Sequence, residues 1–331
     1  MSTETQIEKV SKFKNLLVAF YDCARGKRQK DGYQKYLFNY GEKLKHIEEE
    51  ISKTHNYRWG GYREFYVHDP KKRLVMAAPF RDRIVHTALY RAMEPIVDQT
   101  LGCRTFACRI GMGNRNAAIR LQKQLSIMRK KRYCVKLDVK KYFASINHEI
   151  LYKNFTALLP DSSLDKILWS LIKSHDEFSS KESGIPIGNL TSQLFANFYL
   201  SKIDQKACDL LDIDFFEDKF DKNGSYIRYM DDIVILASDK SKALRVATQL
   251  VEMGKKKLKV EIPTYKYVVL GNAPIPFLGY VLDENGHRPL RRNERKFTKK
   301  LKRLKKNGYD LAYRAQVIQS YEAWQNLQLE V

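Results

Sequence analysis

Three acids carry the strongest chemical signal in this chain. Asp231 and Asp232 are adjacent in SYIRYMDDIVILAS, between two strongly apolar runs that read as strand, tight turn, strand. Neighbouring carboxylates at the tip of a buried hairpin repel each other, and each costs several kcal/mol if desolvated without a partner. A divalent cation would remove that cost; so would a turn simply exposed to water, where Asp is common. Asp138 weights the choice. It ends another apolar strand, VKLDV, just before the helix-like segment that begins KKYF. Three acids at strand ends in one sheet could converge on two Mg²⁺ ions about 3.5–4 Å apart, a pair that activates an attacking 3′-hydroxyl and stabilises a leaving pyrophosphate. Hard oxygen ligands with positions left open for water and phosphate favour Mg²⁺, with Mn²⁺ as a substitute.

The elements that must hold these acids are legible in outline. Residues 1–55 place apolar side chains at three- and four-residue intervals, so helices are expected. YREFYVHDP alternates, Asp69-Pro70 marks a turn, and KRLVMAAP resumes extended chain. A helix opens at Asp82 and ends before Pro95; others are expected over 114–129 and 148–173. Gly184 to Gly188 reads as a loop, after which Thr191 or Ser192 caps the helix SQLFANFYLSKIDQKACDLL. Helix 240–257 then leads into strands LKVEI, YKYVVL and FLGYVL.

Composition narrows the partners. The 331 residues are 44% hydrophobic, enough for a sizeable core, and carry a formal charge of +22. Such a field favours a polyanion. No apolar run reaches the roughly 18 residues of a membrane span, so nucleic acid is expected rather than a membrane. Five single cysteines without zinc spacing, and a polar start, fit a reducing cytoplasm.

The ordered set DVKKYF, GIPIGNLTSQLFANFYL and YMDD resembles the reverse transcriptase family over about residues 57–285. The resemblance implies an α+β right-hand polymerase: fingers, a palm with an antiparallel ferredoxin-like sheet, and a helical basic thumb. It implies a helical extension at 1–56, fingers at 57–132, palm at 133–183, a fingers/palm junction loop and helix start at 184–200, palm again at 201–285, and thumb at 286–331. It makes Asp138, Asp231 and the Val139 backbone carbonyl metal ligands, with Asp232 beside them in a less essential role. Template RNA, a primer or cDNA strand and dNTPs are the implied ligands.

Other site residues follow from the same match. Phe143 takes the place of an aromatic that blocks a ribose 2′-OH; otherwise it is a core aromatic beside Tyr142. Arg73 corresponds to a fingers arginine that folds over the triphosphate, and guanidinium suits that task because it forks onto phosphate oxygens. Lys71 or Lys72 could add a second cation. Lys266 is either a general acid near the pyrophosphate or a solvated strand lysine. Phe277, Leu278, Gly279 and Tyr280 resemble the segment that holds the primer end, Gly279 permitting close backbone approach; the bland reading is a short edge strand.

One departure narrows the resemblance. Most reverse transcriptases carry Q-G-x-x-x-S-P before the palm helix, whereas here Ile187-Gly188 leads to Ser192-Gln193. This I-G-x-x-x-S-Q pattern, with YREF and SQLFAN, resembles the enzymes of diversity-generating retroelements. Those copy a template-repeat RNA with frequent errors at adenine, the cDNA replaces a variable region, and a small basic ring-forming accessory protein assists. Ile187 cannot make the hydrogen bond that Gln offers near the incoming nucleotide. One such bond is worth about 0.5–1.5 kcal/mol, roughly a few-fold to tenfold in discrimination.

The 288–306 stretch holds eleven Lys/Arg and the single acid Glu294, with Phe297, Leu301 and Leu304 forming an apolar stripe; the rest would track phosphates. A final packing helix is expected at 313–328 through Tyr313, Ile318, Tyr321, Trp324 and Leu327. Competing readings are a retron, group II intron-like or phage-defence reverse transcriptase, a non-catalytic RNA-binding scaffold, and a palm-fold nucleotide cyclase. The I-G-x-x-x-S-Q loop speaks against the first two, and the short 286–331 segment leaves no room for a maturase or nuclease domain. A scaffold needs no metal triad, and a cyclase needs no basic thumb.

Overall fold

The computed structural model describes residues 4–68, 72–129, 132–175, 182–263 and 273–326. In chain order its elements are α1 (Gln6–Ser11), α2 (Phe13–Ala24), α3 (Asp31–Leu37), α4 (Tyr40–Thr54), β1 (Arg63–His68), β2 (Lys72–Ala77), α5 (Phe80–Asp98), α6 (Asn114–Met128), β3 (Tyr133–Asp138), α7 (Tyr142–Ser145) and α8 (His148–Thr156). Then come α9 (Asp165–Ile172), α10 (Leu190–Tyr199), α11 (Ser201–Leu211), β4 (Gly224–Tyr229), β5 (Asp232–Ala237), α12 (Lys240–Leu258), β6 (Ile275–Phe277), β7 (Tyr280–Leu282), β8 (His287–Pro289), α13 (Arg291–Lys306) and α14 (Leu311–Gln325). The fold is the mixed α+β class with antiparallel sheets. Among the described residues no helix is long and apolar enough to cross a membrane.

The chain divides into two compact units. The first takes the residues up to Gly102 together with Val139–Ile203 and Glu252–Ile262. Its centre is α5, which packs against α1, α2 and α10 and buries Ile84, Val85, Ala88, Leu89, Met93 and Val97. The helix runs through Pro95 instead of ending before it. Proline removes one N–H donor there, a loss that packing along the buried face outweighs. The β1–β2 ribbon pairs antiparallel, Arg63 facing Ala77 and His68 facing Lys72. Its alternation does not reflect a buried face, because every residue of β1 is exposed.

The second unit comprises Cys103–Asp138, Asp204–Val251 and the chain from Pro263 on. One antiparallel sheet has the order β3-β5-β4, another β6-β7-β8. Helix α6 joins them in one core, where Leu121 and Leu125 meet Ile227, Val234, Leu236, Ile275, Phe277 and Leu282. Helices α13 and α14 pack on each other, and Phe297 stacks on Tyr321 with ring centroids 3.7 Å apart.

Several expected elements differ in detail. SQLFANFYLSKIDQKACDLL forms two helices, α10 and α11, broken at Leu200, and α10 starts at Leu190 with Asn189 as its flanking residue. LKVEI is not a strand: Leu258 closes α12, and Lys259 follows with φ 52°, a left-handed turn that ends the helix. YKYVVL lies outside the described residues. FLGYVL is a hairpin of two short strands, β6 and β7, around Leu278 and Gly279 with φ 48° and 97°. Both turn residues need positive φ, the pattern of a tight two-residue hairpin. The last helix packs through Tyr321 and Trp324, while Tyr313 and Ile318 are exposed and Leu327 lies outside the described residues.

Candidate active site

In the second unit, the β3-β5-β4 register brings the acids to one end of the sheet. Asp138 is the last residue of β3 and faces Asp232, the first of β5; Tyr229 of β4 faces Asp232 from the other side. Directly paired Cα atoms in such a ladder lie about 4.5–5.5 Å apart. Asp231 stands in the two-residue turn between β4 and β5. Ile233 to Ala237 are buried, whereas all three acids are half-buried, so apolar strands deliver their terminal carboxylates to the edge of the core.

The turn is strained. Met230 has φ 56°, a left-handed conformation that costs a non-glycine residue roughly 1–2 kcal/mol. Lys136, two residues before Asp138 and on the same strand face, places its Nζ 3.3 Å from Asp232 Oδ1 and donates to the Pro276 carbonyl at 2.8 Å. A cation already beside Asp232 is compatible with a subordinate role for that acid. Among the described residues no three His, Cys, Asp or Glu side chains form a ready-made ion cage. Mg²⁺ is ordinarily held by one or two carboxylates plus waters and substrate phosphates, so an open cluster of hard oxygens fits it. Val139, next in the chain, is buried.

Two residues of this unit escaped sequence reasoning. Arg228, inside the apolar strand β4, is fully buried against Asp204 of α11, and its Nη1 donates to the Met230 carbonyl at 2.9 Å. The available signal was a charged residue in the middle of SYIRYM, which demands a buried partner.

The FLGY segment is the β6–β7 turn. Phe277 and Tyr280 are core side chains, and Leu278 packs against the same core. A Cβ on Gly279 would lie 3.0 Å from Asn293 Nδ2 and 3.1 Å from the Trp324 ring. The close approach that requires glycine here is to α13 and α14 of the chain itself.

In the first unit, the loop before α10 is fastened to β2. The Met76 amide donates to the Ile187 carbonyl at 2.9 Å. Gly188 has φ +128°, and a Cβ there would meet the Met76 carbonyl oxygen at 3.0 Å and Val75 Cγ1 at 3.2 Å. Asn189 Nδ2 donates to the Tyr62 hydroxyl at 3.0 Å, and Thr191 Oγ1 lies 2.7 Å from His86 Nδ1. Burial pushes His86 down to about 3, so it is neutral. Ile187 and Gln193 are half-buried.

The aromatic pair divides its duties. Tyr142 is buried and donates to the Ala196 carbonyl, while Phe143 is half-buried and packs edge-on against the Tyr142 ring. The Ile185 amide donates to the Phe143 carbonyl at 2.9 Å, which sets Phe143 beside the loop. Arg73 and Lys72 are exposed on β2, and Lys72 Nζ sits 4.0 Å from the Tyr66 ring centroid. Arg73 lies three residues from Met76, about 10 Å along the strand. Lys71 and Lys266 lie outside the described residues.

Comparison with known proteins agrees with this geometry. The family model described as reverse transcriptase (RNA-dependent DNA polymerase) matches residues 68–282, which include all three acids. Retron Ec73 reverse transcriptase of Escherichia coli is 34% identical over 126 residues, covering 37% of each chain. Protein YkfC of Escherichia coli (strain K12) is 29% identical over 131 residues, or 38% of this chain and 34% of that protein. The chain thus spans about a third of the length of these curated relatives. Among solved structures, apo telomerase from Candida tropicalis truncated from its C-terminal domain superposes with TM-score 0.51 at 12% identity, covering 70% of this chain and 55% of that one. That likeness concerns the fold alone. With its matched segment running from the end of β1 through the acidic turn to β7, the chain belongs to the reverse transcriptase (RNA-dependent DNA polymerase) family.

Proposed function

We propose that this chain synthesises DNA on an RNA template. The observation that carries the reading is the register that sets Asp138 opposite Asp232 with Asp231 in the adjoining turn, inside the family match. Asp138 and Asp231, with the Val139 carbonyl, would hold Mg²⁺, and Asp232 would sit beside them. The bound ions supply Lewis-acid activation of the primer hydroxyl and charge neutralisation on the leaving pyrophosphate. Arg73, with Lys72, binds triphosphate oxygens from β2. Phe143 excludes a ribose 2′-hydroxyl, Ile187, Gly188 and Gln193 line the nucleotide, and Lys266 donates a proton to the leaving group. Phe277 to Tyr280 support the primer end, and the basic face of α13 tracks phosphates.

Within the family we assign the chain to the diversity-generating type, on the strength of the I-G-x-x-x-S-Q loop. A template-repeat RNA and a basic ring-forming accessory protein are its proposed partners. A retron-type enzyme is the second reading, favoured by the 34% identity to retron Ec73 reverse transcriptase. The five free thiols and the Escherichia coli relatives support a bacterial cytoplasm.

Primer extension on RNA with Mg²⁺ tests the chemistry. Asp231→Ala should lower the rate by at least about a thousandfold, since a lost metal ligand removes several kcal/mol of transition-state stabilisation. Extension that survives this change overturns the assignment. Sequencing the cDNA separates the two types: errors concentrated at template adenines support the diversity-generating one, and a uniform low rate favours the retron reading.

A further inference from the structure

The strand that leads into the acidic turn buries a complete ion pair. Arg228 is 0% exposed and Asp204 1%. The contact is two-pronged: Arg228 Nε donates to Asp204 Oδ1 at 2.6 Å and Nη2 to Oδ2 at 2.5 Å. The Tyr226 hydroxyl adds a bond to Oδ1 at 2.7 Å, and the Thr105 hydroxyl one to Oδ2 at 2.8 Å. The Arg228 backbone is clamped as well, its N–H donating to the Arg104 carbonyl at 2.9 Å and its carbonyl accepting from the Phe106 amide at 3.0 Å.

A buried pair of this kind is weak evidence for stability, because packed apolar residues of similar volume often do as well or better. Its presence in the strand before the turn therefore calls for a local task. The third prong of the guanidinium supplies one: Nη1 donates to the Met230 carbonyl at 2.9 Å. Met230 is the residue held at φ 56°, and its carbonyl belongs to the peptide that joins it to Asp231. A rigid planar fork fixed on one side by Asp204 can hold that peptide on the other; an ammonium cannot do both with the same geometry.

We propose that Asp204 and Arg228 form a strut that keeps the Met230–Asp231 turn in its strained form and so sets where Asp231 presents its carboxylate to metal. Arg228 is a positioning residue, and the idea rests on the reading of Asp231 as a metal ligand. The test measures Mn²⁺ affinity by the paramagnetic resonance of free Mn²⁺, alongside the Mg²⁺ dependence of primer extension and thermal unfolding. In the double variant Asp204→Leu/Arg228→Met no charge is left unpaired, but the buried Tyr226 and Thr105 hydroxyls lose their acceptor, so it should stay folded and unfold somewhat below the parent temperature. It should bind Mn²⁺ about tenfold more weakly and need correspondingly more Mg²⁺, the effect of one lost charge-assisted bond. Arg228→Lys keeps the buried charge, should shift both readouts in the same direction, and decides the matter if the double variant does not fold. Parental Mn²⁺ affinity in either folded variant, while Asp231→Ala weakens it, overturns the strut. Parental affinity in Asp231→Ala overturns the ligand reading, and the strut with it.

Discussion

Gly188→Ala is the most incisive single change that the fold offers. The new Cβ would meet the Met76 carbonyl oxygen at 3.0 Å and Val75 Cγ1 at 3.2 Å, where ordinary contacts begin near 3.4 Å. A backbone oxygen cannot swing aside, so β2 or the loop must move by a few tenths of an ångström. The φ of +128° adds conformational strain of about 1–3 kcal/mol for a residue with a side chain. Stretching the 2.9 Å bond from the Met76 amide to the Ile187 carbonyl forfeits about 0.5–1.5 kcal/mol more. The expected destabilisation is about 2–4 kcal/mol, read by denaturant unfolding. Because β2 carries Arg73, the dNTP KM should rise several-fold in steady-state extension well below the unfolding midpoint, with kcat less affected. Gly61→Ala is the control, since nothing lies within 4 Å of its Cβ position. A Gly188→Ala enzyme as stable as the parent with an unchanged KM would refute the claim that this glycine couples the loop to β2.

Three further outcomes are expected. Ile187→Gln should lower misincorporation opposite template adenine by roughly a few-fold to tenfold, the worth of one restored hydrogen bond; an unchanged error rate in sequenced cDNA rejects this role. His86, ordinarily near 6.5 and pushed down to about 3 by burial, refuses a proton that the unfolded chain accepts. Its contribution is whole above pH 6.5 and is lost as pH falls toward the folded value, by about 2 kcal/mol between pH 6.5 and 5. Denaturant unfolding of His86→Gln should show a flatter profile over that window, and a slope equal to the parent's speaks against it. Lys299→Ala and Lys302→Ala, on the exposed face of α13, should weaken RNA binding regardless of sequence and each reduce the logarithmic salt slope by about one; an unaltered slope excludes that face.

The acids were legible because their signal is local. An apolar run that stops on Asp138, and a second interrupted by Asp231 and Asp232, state both the strands and their ends, and antiparallel pairing then leaves little freedom over where those ends meet. The departures from expectation were local too. FLGYVL hides its turn because Leu278 takes a positive φ normally given to Gly or Asn, so an apolar run reads through a hairpin. LKVEI has strand composition, but Leu258 is held as the last residue of α12, and tertiary context overrides propensity. The break at Leu200 leaves no Gly or Pro to announce it.

What stayed illegible is what holds the acids in place. Gly188 is needed for its closeness to Met76, a residue more than a hundred positions earlier, and no spacing rule reaches that far. Arg228 pairs with Asp204 across 24 positions, from a strand to a helix, and the meaning of the pair lies in its third contact with the Met230 carbonyl. Side-chain type tells which groups can do chemistry, because charge and hardness belong to the residue itself. Positioning here runs through backbone carbonyls, which every residue has, so type carries no mark of it. The sequence cue that survives is indirect: a full charge inside an apolar strand is costly enough to demand a structural reason, and in β4 that reason lies two residues before the turn that bears Asp231.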